Sequence, residues 1–177
     1  MSTTKILLSG FGGQGILFAG KFLAYKGLME GNEVSWLPSY GPEMRGGTAS
    51  CSVIISDEPV GSPIVSNPDI LIAMNLPSFD KFEPAVNKGG IIIADSTLIG
   101  KTSTRDDVTV HYIPATALAS DNKLGSLANM IIMGKLLSCT GEFDEEKIRS
   151  ALAKVIPPKK AEMLETNLNA MKLGAEN

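Results

Sequence analysis

A glycine-rich turn near the start of the chain is the feature best suited to binding chemistry. It follows a short apolar run at 5–9 and precedes an amphipathic segment, so the predicted order is strand, turn, helix. The backbone N–H groups of such a turn and of the first helical residues have no partner within the helix, and together they can bind a phosphate or another anion. The spacing fits G-x-G-x-x-G, and the predicted cofactor-binding residues are Gly10, Gly12, Gly13, Gln14 and Gly15.

The acidic residue that accompanies a dinucleotide site is missing from this pattern. In NAD and FAD proteins an Asp or Glu at the end of the second strand, about 20 residues after the turn, binds the ribose hydroxyls. Here the second predicted strand, 33–37, leads into Pro38 and Ser39, with Glu33 before it and Glu43 well beyond it. Three interpretations stay open: a nicotinamide or flavin site, a site for another phosphate or anion, and a packing turn without a ligand.

A second segment rich in turn-forming residues, 38–47, offers a cationic group. It places Glu43 and Arg45 among glycines and prolines. Glycine allows the backbone to approach a ligand closely, and the planar arginine fork fits a phosphate or a carboxylate. A solvated loop with an internal ion pair is the alternative. We predict a ligand or subunit interface made of Tyr40, Gly41, Pro42, Glu43, Arg45, Gly46 and Gly47.

The remaining reactive side chains do not form a recognisable catalytic set. His111, the only histidine, lies on a predicted strand and is given a structural role, and no G-x-S-x-G nucleophile motif is present. Cys51 and Cys139 are expected to be inert thiols, and two cysteines are too few for an iron–sulfur cluster, which takes four thiolates. Asp95 ends a predicted strand, where it either faces a ligand or caps a helix. We predict no catalytic and no metal-binding residue.

The elements that position these motifs alternate between strands and helices. Strands are predicted at 5–9, 33–37, 48–56, 70–74, 90–94 and 108–113, and helices at 13–31, 126–138, 144–155 and from the break at 157–158 to a stop at Gly174. Alternation of apolar residues and serines in 48–56 indicates an antiparallel or edge strand, whereas the apolar runs at 70–74 and 90–94 are typical of central parallel strands. The predicted fold class is α/β, a single Rossmann-like domain over residues 1–177 with a mostly parallel sheet.

Composition restricts the kinds of partner. The 177 residues are 44% hydrophobic and 20% charged with a net charge of -3, which suits a globular chain and gives no support to nucleic-acid binding. No apolar run reaches the roughly 20 residues of a membrane span, and the start lacks a signal-peptide pattern. We therefore expect a cytoplasmic protein. Segment 126–138 is apolar nearly all round, which indicates burial by the sheet or by a partner subunit.

The segments 10–15 and 39–48 together resemble the gamma subunit of 2-oxoacid:ferredoxin oxidoreductases. The resemblance extends over essentially the whole chain in length and element order, and segment 67–69 and Asn129 also look like the family's pattern. It implies a non-catalytic subunit of an enzyme that decarboxylates a 2-oxoacid, with 2-oxoglutarate favoured, and passes the acyl group to coenzyme A and electrons to ferredoxin.

The resemblance also implies where the cofactors lie. Thiamine diphosphate, Mg²⁺ and [4Fe–4S] clusters are expected in partner alpha and beta subunits or a ferredoxin-like delta subunit, with none tightly bound in this chain. This chain is expected to pack against the thiamine-binding subunits and to bind coenzyme A, its diphosphate at the turn, Arg45 nearby and Lys21 or Lys101 within reach of the 3′-phosphate. The isolated chain is expected to be inactive and able to homodimerise. A stand-alone nucleotide-binding regulator and an NAD- or flavin-dependent reductase are the alternatives.

Overall fold

One sheet organises residues 2–40 and 47–177, which the computed structural model describes, with the backbone alone at Tyr40. Its strands are β1 (Thr3–Phe11), β2 (Glu33–Tyr40), β3 (Thr48–Ser56), β4 (Ile70–Ala73), β5 (Ile91–Asp95) and β6 (Thr109–Ile113). The order across the sheet is β2-β3-β1-β4-β5-β6. β1, β4, β5 and β6 are parallel, and β3 is antiparallel to both β1 and β2. The predicted mostly parallel α/β sheet is confirmed, with β3 antiparallel inside the sheet and β2 at its edge.

Helices cover both faces of the sheet. They are α1 (Ile16–Met29), α2 (Leu76–Phe82), α3 (Ser96–Ile99), α4 (Ala115–Asp121), α5 (Ala128–Cys139), α6 (Glu145–Val155) and α7 (Met163–Glu176). One hydrophobic cluster joins a sheet face to α1, α4, α5, α6 and α7, and a second joins the other face to α2 and α3. Since the helices after β1 and β4 lie on opposite faces, the carboxyl ends of these strands flank a topological switch point. In the described part of the chain no helix is long and apolar enough to cross a membrane.

The residue composition of each strand reflects which of its two faces is covered by helices. β4 and β5 are made almost entirely of isoleucine, leucine and alanine, because a parallel strand covered on both faces must be apolar throughout. In β3 the buried residues Ala49, Cys51 and Val53 alternate with the half-buried Ser50 and Ser52. This alternation reflects one drier face, which packs against α1.

Glycines let α1 lie close to the sheet. A Cβ at Gly20 would lie 2.3 Å from Cys51 Sγ, and a Cβ at Gly27 would lie 3.0 Å from Val34 Cγ2. Larger residues at these positions would hold the helix away from β2 and β3.

Two predicted helix boundaries are wrong. α1 begins at Ile16 rather than at Gly13, because Gly13 and Gly15 have φ of 90° and 74°, outside the helical region. α7 continues past Gly174, which therefore is not its stop signal. Gly174 instead allows a close approach, since a Cβ there would lie 1.8 Å from the carbonyl oxygen of Ile131 on α5.

Helix α5 is buried by its own chain. Residues 130–133 are completely buried, between the sheet and α7. Gly134 makes the crossing with α7 close, because a Cβ there would lie 1.8 Å from Met171 O. The alternative in which a partner subunit covers this helix is therefore wrong.

The hydrophobic periodicity misses three short helices. α2, α3 and α4 contain four to seven residues, too few for a period of 3.6 to be visible. Local capping signals exist for two of them, because the side chains of Asn75 and Asp95 accept hydrogen bonds from the backbone N–H groups of Ser78 and Thr97.

Candidate functional site

The glycine turn joins the carboxyl end of β1 to the start of α1. Gly10 still belongs to β1, and the turn itself spans residues 12–15. The positive φ of Gly13 and Gly15 reverses the chain in a conformation that favours glycine. A Cβ at Gly13 would meet open space, whereas a Cβ at Gly15 would lie 2.4 Å from Asn129 Nδ2. The turn is therefore open on one side and packed against α5 on the other.

Gln14 holds the turn across the switch point. Its Oε1 accepts a hydrogen bond from Phe11 N at 2.6 Å, and its Nε2 donates to Met74 O at 3.1 Å. Because Met74 follows β4, this one amide joins the carboxyl ends of β1 and β4. Both polar ends of Gln14 are used within the chain, which gives it a positioning role at the turn.

The structure brings the two sequence motifs together. Gly12 N donates to Gly47 O at 3.0 Å, so the end of the second motif lies against the turn. Tyr40, at the other end of that motif, closes β2. The predicted interface residues Gly41, Pro42, Glu43, Arg45 and Gly46 lie outside the described residues, and their role stays a prediction.

The N-terminus of α1 is open to an anion. The N–H groups of Ile16, Leu17 and Phe18 have no acceptor within the described residues. The N-cap, Gly15, has no side chain, and the first turn contains no acidic residue. The partial positive charge of the helix dipole is therefore uncompensated at this end, as at helix termini that bind phosphate.

A cleft of about 370 Å³ opens beside the turn. It lies between the start of α1, the start of α5 and the connection from α6 to α7. Apolar side chains that include Phe18 and Met163 contribute to its wall, and Lys21 and Lys160 supply positive charge. A ligand with an apolar body and an acidic group would suit this lining.

Two buried asparagines border this cleft. Asn129 Nδ2 donates to Gly15 O at 3.0 Å, and Asn167 Nδ2 donates to Met163 O at 2.8 Å. The two residues are 3% and 2% exposed, and within the described chain neither Oδ1 has a hydrogen-bond partner. An unpaired buried acceptor costs about 1–3 kcal/mol, and both oxygens are closed to solvent in this structure.

A smaller cleft of about 190 Å³ lies on the other side of the turn. Gly13, Gln14 and Met74 contribute to its lining, together with Leu98. Phe11, Leu76 and Leu98, at the carboxyl ends of β1, β4 and β5, are 37–41% exposed. Apolar side chains exposed at one edge of a sheet are suited to contact with another macromolecule.

Asp95 is a structural residue. It caps α3 through Thr97 N at 3.1 Å and accepts a hydrogen bond from Thr116 Oγ1 at 2.6 Å. Its completely buried carboxylate thus ties the end of β5 to α3 and α4. Of the two interpretations of Asp95, helix capping is confirmed.

The environments of Cys51 and His111 fit structural roles rather than catalytic ones. Cys51 Sγ lies 3.6 Å from Ile16 O, and burial raises the pKa of its thiol to about 12, which disfavours the thiolate that a metal or a nucleophile requires. Burial and the nearby charge of Lys135 lower the pKa of the half-buried His111. No cluster of three His, Cys, Asp or Glu side chains that could hold a metal ion is found in residues 2–40 and 47–177.

Of the two lysines predicted to reach a ligand phosphate, the structure brings Lys21 to the cleft and leaves Lys101 outside it. Lys101 pairs with Asp80 and lies 5.7 Å from the centre of the Phe79 ring, on the α2 side of the sheet. Sequence reasoning missed Lys160 and Asn167, which reach the cleft from the distant C-terminal region. The only local signal is the proline break at 157–158, which ends α6 before Lys160.

The sheet order explains why a dinucleotide acid has no counterpart here. In dinucleotide-binding folds the second strand lies next to the first, so the acid at its end reaches the ribose. In this chain β3 lies between β1 and β2, which disfavours the nicotinamide or flavin interpretation. The fold and the turn define a Rossmann-like α/β protein with an open helix N-terminus at its switch point.

Comparison with known proteins assigns the chain to a family. The family described as pyruvate ferredoxin/flavodoxin oxidoreductase matches residues 5–177, and the chain belongs to it. The ketoisovalerate oxidoreductase subunit VorA of Methanothermobacter thermautotrophicus is 42% identical over 174 residues, which are 97% of this chain and 36% of VorA. The chain thus spans about a third of the length of the VorA relatives it matches. The 2-oxoglutarate synthase subunit KorC of Methanocaldococcus jannaschii is 38% identical over 156 residues, 86% of this chain and 83% of KorC.

Solved structures share the fold. The gamma subunit of a keto/oxoacid ferredoxin oxidoreductase from Geobacter sulfurreducens is 28% identical with a TM-score of 0.83, covering 99% of this chain and 96% of that chain. A 2-oxoglutarate:ferredoxin oxidoreductase from Magnetococcus marinus, with 2-oxoglutarate, coenzyme A and succinyl-CoA bound, has a TM-score of 0.86 at 24% identity, covering 99% of this chain and 31% of that chain. Because the sequence identity of the second match is low, that match is evidence for the fold only. The resemblance to the gamma subunit is confirmed.

Proposed function

We propose that this chain is the gamma subunit of a 2-oxoacid:ferredoxin oxidoreductase. Such an enzyme joins the oxidative decarboxylation of a 2-oxoacid to acyl transfer onto coenzyme A and electron transfer to ferredoxin. The family match over residues 5–177 and the KorC relatives, which the chain matches over most of their length, support this function. The two cysteines of the chain, one of them a buried thiol, do not fit a four-thiolate cluster. We therefore propose that the clusters lie in partner subunits, and, as the family resemblance implies, that thiamine diphosphate and Mg²⁺ also belong to alpha, beta or delta subunits rather than to this chain.

The observation that carries the proposal is the open N-terminus of α1 at the glycine turn. The diphosphate of coenzyme A would accept hydrogen bonds from the N–H groups of residues 16–18, and Lys21 would add a cation beside them. Coenzyme A needs no acid at the end of β2, because its ribose carries a 3′-phosphate. Arg45, in the adjoining motif, is proposed as a further cationic or interface contact.

Among the 2-oxoacids we propose 2-oxoglutarate as the substrate. The KorC relative, named a 2-oxoglutarate synthase subunit, matches this chain over 83% of its own length, whereas the VorA match covers about a third of VorA. The assembled enzyme decides the point directly, because dye reduction with 2-ketoisovalerate or pyruvate in place of 2-oxoglutarate would reassign the substrate.

The exposed apolar side chains at the carboxyl edge of the sheet are the proposed contact with the thiamine-binding subunits. Phe11, Leu76 and Leu98 lie at this edge together with the turn. The isolated chain is proposed to be inactive, and it can self-associate through the same surface. We propose the cytoplasm, where coenzyme A is available, as the location of the complex.

The test is anaerobic purification of the tagged chain from its own cells. Co-purification with thiamine-diphosphate and iron–sulfur subunits, and coenzyme A-dependent reduction of a viologen dye by one 2-oxoacid, would establish the complex. A colourless chain that elutes alone would contradict it.

Variants of the complex then test the turn. Gly12→Asp and Lys21→Glu place negative charge beside the start of α1, and we expect each to raise the KM for coenzyme A at least tenfold while the KM for the 2-oxoacid is unchanged. Gly61→Asp, in open space elsewhere, and Lys154→Glu on α6 are the matched controls. An unchanged KM for coenzyme A in both turn variants would show that the turn only packs.

A further inference from the structure

We propose that one face of the sheet, over strands β2 and β3, binds a helix of the thiamine-binding partner subunit. Four side chains form this surface, Leu37 and Ser39 on β2 with Ser50 and Ser52 on β3, and we refer to them as the uncovered face. The inference rests on the proposed function, which supplies the partner. It adds where on this chain that partner binds and what kind of element it presents there.

The strand register places these four side chains on the side of the sheet that carries α2 and α3. Leu37 lies opposite Ser52, and Ser39 lies opposite Ser50. Ser52 in turn lies opposite Leu7 on β1, and Leu7 belongs to the hydrophobic cluster on the α2 and α3 side. Residues directly opposite each other in a sheet share a face, so all four point away from α1.

The chain itself covers the rest of this side of the sheet. Ser9 Oγ donates a hydrogen bond to Ser78 Oγ at 2.8 Å, so α2 lies over β1. Towards the amino ends of the parallel strands, Val65 from the connection between β3 and β4 is buried in the same cluster as Ile54. The uncovered face is exposed on β2 and half-buried on β3. In the described part of the chain, this surface is therefore open to solvent.

The open surface has the width of one helix. A helix with its side chains is about 10 Å across and neighbouring strands are about 4.8 Å apart, so one helix covers two strands. Beyond β1, which α2 covers, β3 and β2 are the two strands that remain up to the edge of the sheet. Serine side chains are small, so a helix can approach β3 closely, and their hydroxyl groups bond water until it does.

The uncovered face carries no charge. Along β1 and β2, the charged side chains on this side of the sheet are Lys5 and Glu33, which lie opposite Ile54 and Ser56, nearer the amino ends of the parallel strands. One fifth of the residues of the chain are charged, so a face without charge stands out. The cores of protein interfaces are depleted in charged residues. We therefore expect a helix with an uncharged stripe of apolar and small residues.

Exposed apolar side chains connect the uncovered face to the carboxyl edge of the sheet. Phe11 lies two residues beyond Ser9, on the same side of β1, and Leu76 begins α2. Both are exposed, and both are proposed contacts with the thiamine-binding subunits. At the opposite end of the face, Ile64 in the connection between β3 and β4 is 66% exposed. A partner at the carboxyl edge can therefore extend over the uncovered face along a continuous apolar border.

The lengths of the relatives also point to this partner. The match with VorA covers 36% of that protein, whereas the match with KorC covers 83%. The same type of domain thus occurs within a longer chain and as a chain of its own size. Within the longer chain, the linkage keeps the domain beside the rest of VorA. A separate chain needs an interface instead, and the subunit that completes the enzyme is the thiamine-binding one.

Cysteine labelling of the purified complex tests the location. Leu37→Cys places a thiol on the uncovered face, and Leu28→Cys, at an exposed leucine near the end of α1, is the matched control. We expect a maleimide to label both thiols in the isolated chain. In the complex, labelling of Leu37→Cys should slow at least tenfold, whereas labelling of Leu28→Cys should not change. Peptide mass spectrometry separates these sites from the native Cys51 and Cys139.

Charge substitutions test whether assembly depends on this surface. Ser52→Arg places a long cation where the helix is expected, and Thr109→Arg, at an exposed position on the far edge strand β6, is the matched control. Ser52→Arg should reduce the recovery of partner subunits with the tagged chain at least tenfold, and Thr109→Arg should leave it unchanged. Both chains should keep the urea midpoint of the unmodified chain, because a long side chain can extend to solvent at either position.

Photocrosslinking identifies what covers the face. The complex is prepared with photo-leucine, which is close to leucine in shape, and mass spectrometry identifies the peptides joined to position 37. We expect a predicted helical segment of the thiamine-binding subunit. A cross-link from Leu37 to a second copy of this chain or to an iron–sulfur subunit would overturn the assignment.

Failure of the inference and failure of the proposed function give different results. Equal labelling of Leu37→Cys in the isolated chain and in the complex would overturn the inference, and so would full recovery of partners with Ser52→Arg. In both cases the complex and its coenzyme A-dependent dye reduction would still support the proposed function. The proposed function itself would fail if the unmodified tagged chain eluted alone.

Discussion

Gly13 and Gly15 provide a matched pair for measuring how firmly the turn is held against α5. Both have positive φ, 90° and 74°, so alanine at either position meets the same type of backbone penalty. They differ in their surroundings, because a Cβ at Gly13 has nothing within 4 Å, whereas a Cβ at Gly15 would lie 2.4 Å from Asn129 Nδ2. The difference between Gly13→Ala and Gly15→Ala therefore isolates the contact with Asn129.

The structure gives the size of this difference. A left-handed conformation costs a non-glycine residue about 1 kcal/mol, which is the whole effect expected for Gly13→Ala. Gly15→Ala in addition displaces Asn129, losing its hydrogen bond to Gly15 O, about 1 kcal/mol, and forcing a buried side chain to repack, at least about 1 kcal/mol more. We expect Gly15→Ala to lower the free energy of unfolding by about 3 kcal/mol.

Urea unfolding followed by the fluorescence of Trp36, the only tryptophan, and by circular dichroism measures both values. In an Asn129→Ala background the further cost of Gly15→Ala should fall to about 1 kcal/mol, because the clashing amide is gone. Equal losses for Gly13→Ala and Gly15→Ala, or a Gly15→Ala cost that is the same with and without Asn129, would refute the contact.

Two further predictions concern Gly134 and His111. Gly134→Ala should lower the free energy of unfolding by about 3 kcal/mol or more, because its Cβ would lie 1.8 Å from Met171 O. This loss outweighs the helix preference of alanine over glycine, about 1 kcal/mol. Gly27→Ala is the control in the same urea assay: its Cβ meets only side-chain atoms at 3.0 Å or more, so it should lose clearly less stability, and equal losses would contradict the reasoning. Burial and the charge of Lys135 lower the pKa of His111, so the unfolded chain binds a proton that the folded chain resists. Stability should therefore fall as pH drops through about 6.5, and His111→Gln should reduce this slope between pH 7.5 and 5.5; an unchanged slope would place its origin elsewhere.

Local signals were sufficient for much of the fold. The acid-rich start of α6 behaves as its sequence predicts, with Asp144 accepting a hydrogen bond from Lys147 N at 3.1 Å. Gly174 shows where local reasoning fails, because a glycine near the end of a helix resembles a stop signal. Its actual role, the close approach to Ile131 O, depends on a helix more than thirty residues earlier in the chain.

The candidate site also has one part that the sequence predicts and one part that it does not. The turn could be predicted because its glycines are consecutive in the sequence and their spacing has a physical meaning. Lys160 and Asn167 could not, because a lysine and an asparagine near or within an amphipathic helix carry no mark of the cleft that they border. Tertiary packing of α7 against α5 brings this distant segment beside the turn, and no pattern within a short window contains that information.

The two edges of the sheet differ in how their buried polar groups are paired. Near the amino ends of the parallel strands, Lys26 is 4% exposed, and its Nζ lies 3.0 Å from Glu30 Oε2 and 2.9 Å from Glu142 Oε2. Burial alone would lower the pKa of Lys26, but the hydrogen bonds to Glu142 and Glu30 outweigh it and raise the pKa.

At the carboxyl edge and the cleft beside it, Asn75 Nδ2, Asn129 Oδ1 and Asn167 Oδ1 are buried and unpaired in the described part of the chain. Folded proteins contain few such groups, and each one calls for an explanation. The same chain pairs the buried ammonium of Lys26 with two carboxylates, so the unpaired amides stand in contrast to it. Asn129 and Asn167 border the cleft, and each unpaired oxygen costs the free chain about 1–3 kcal/mol.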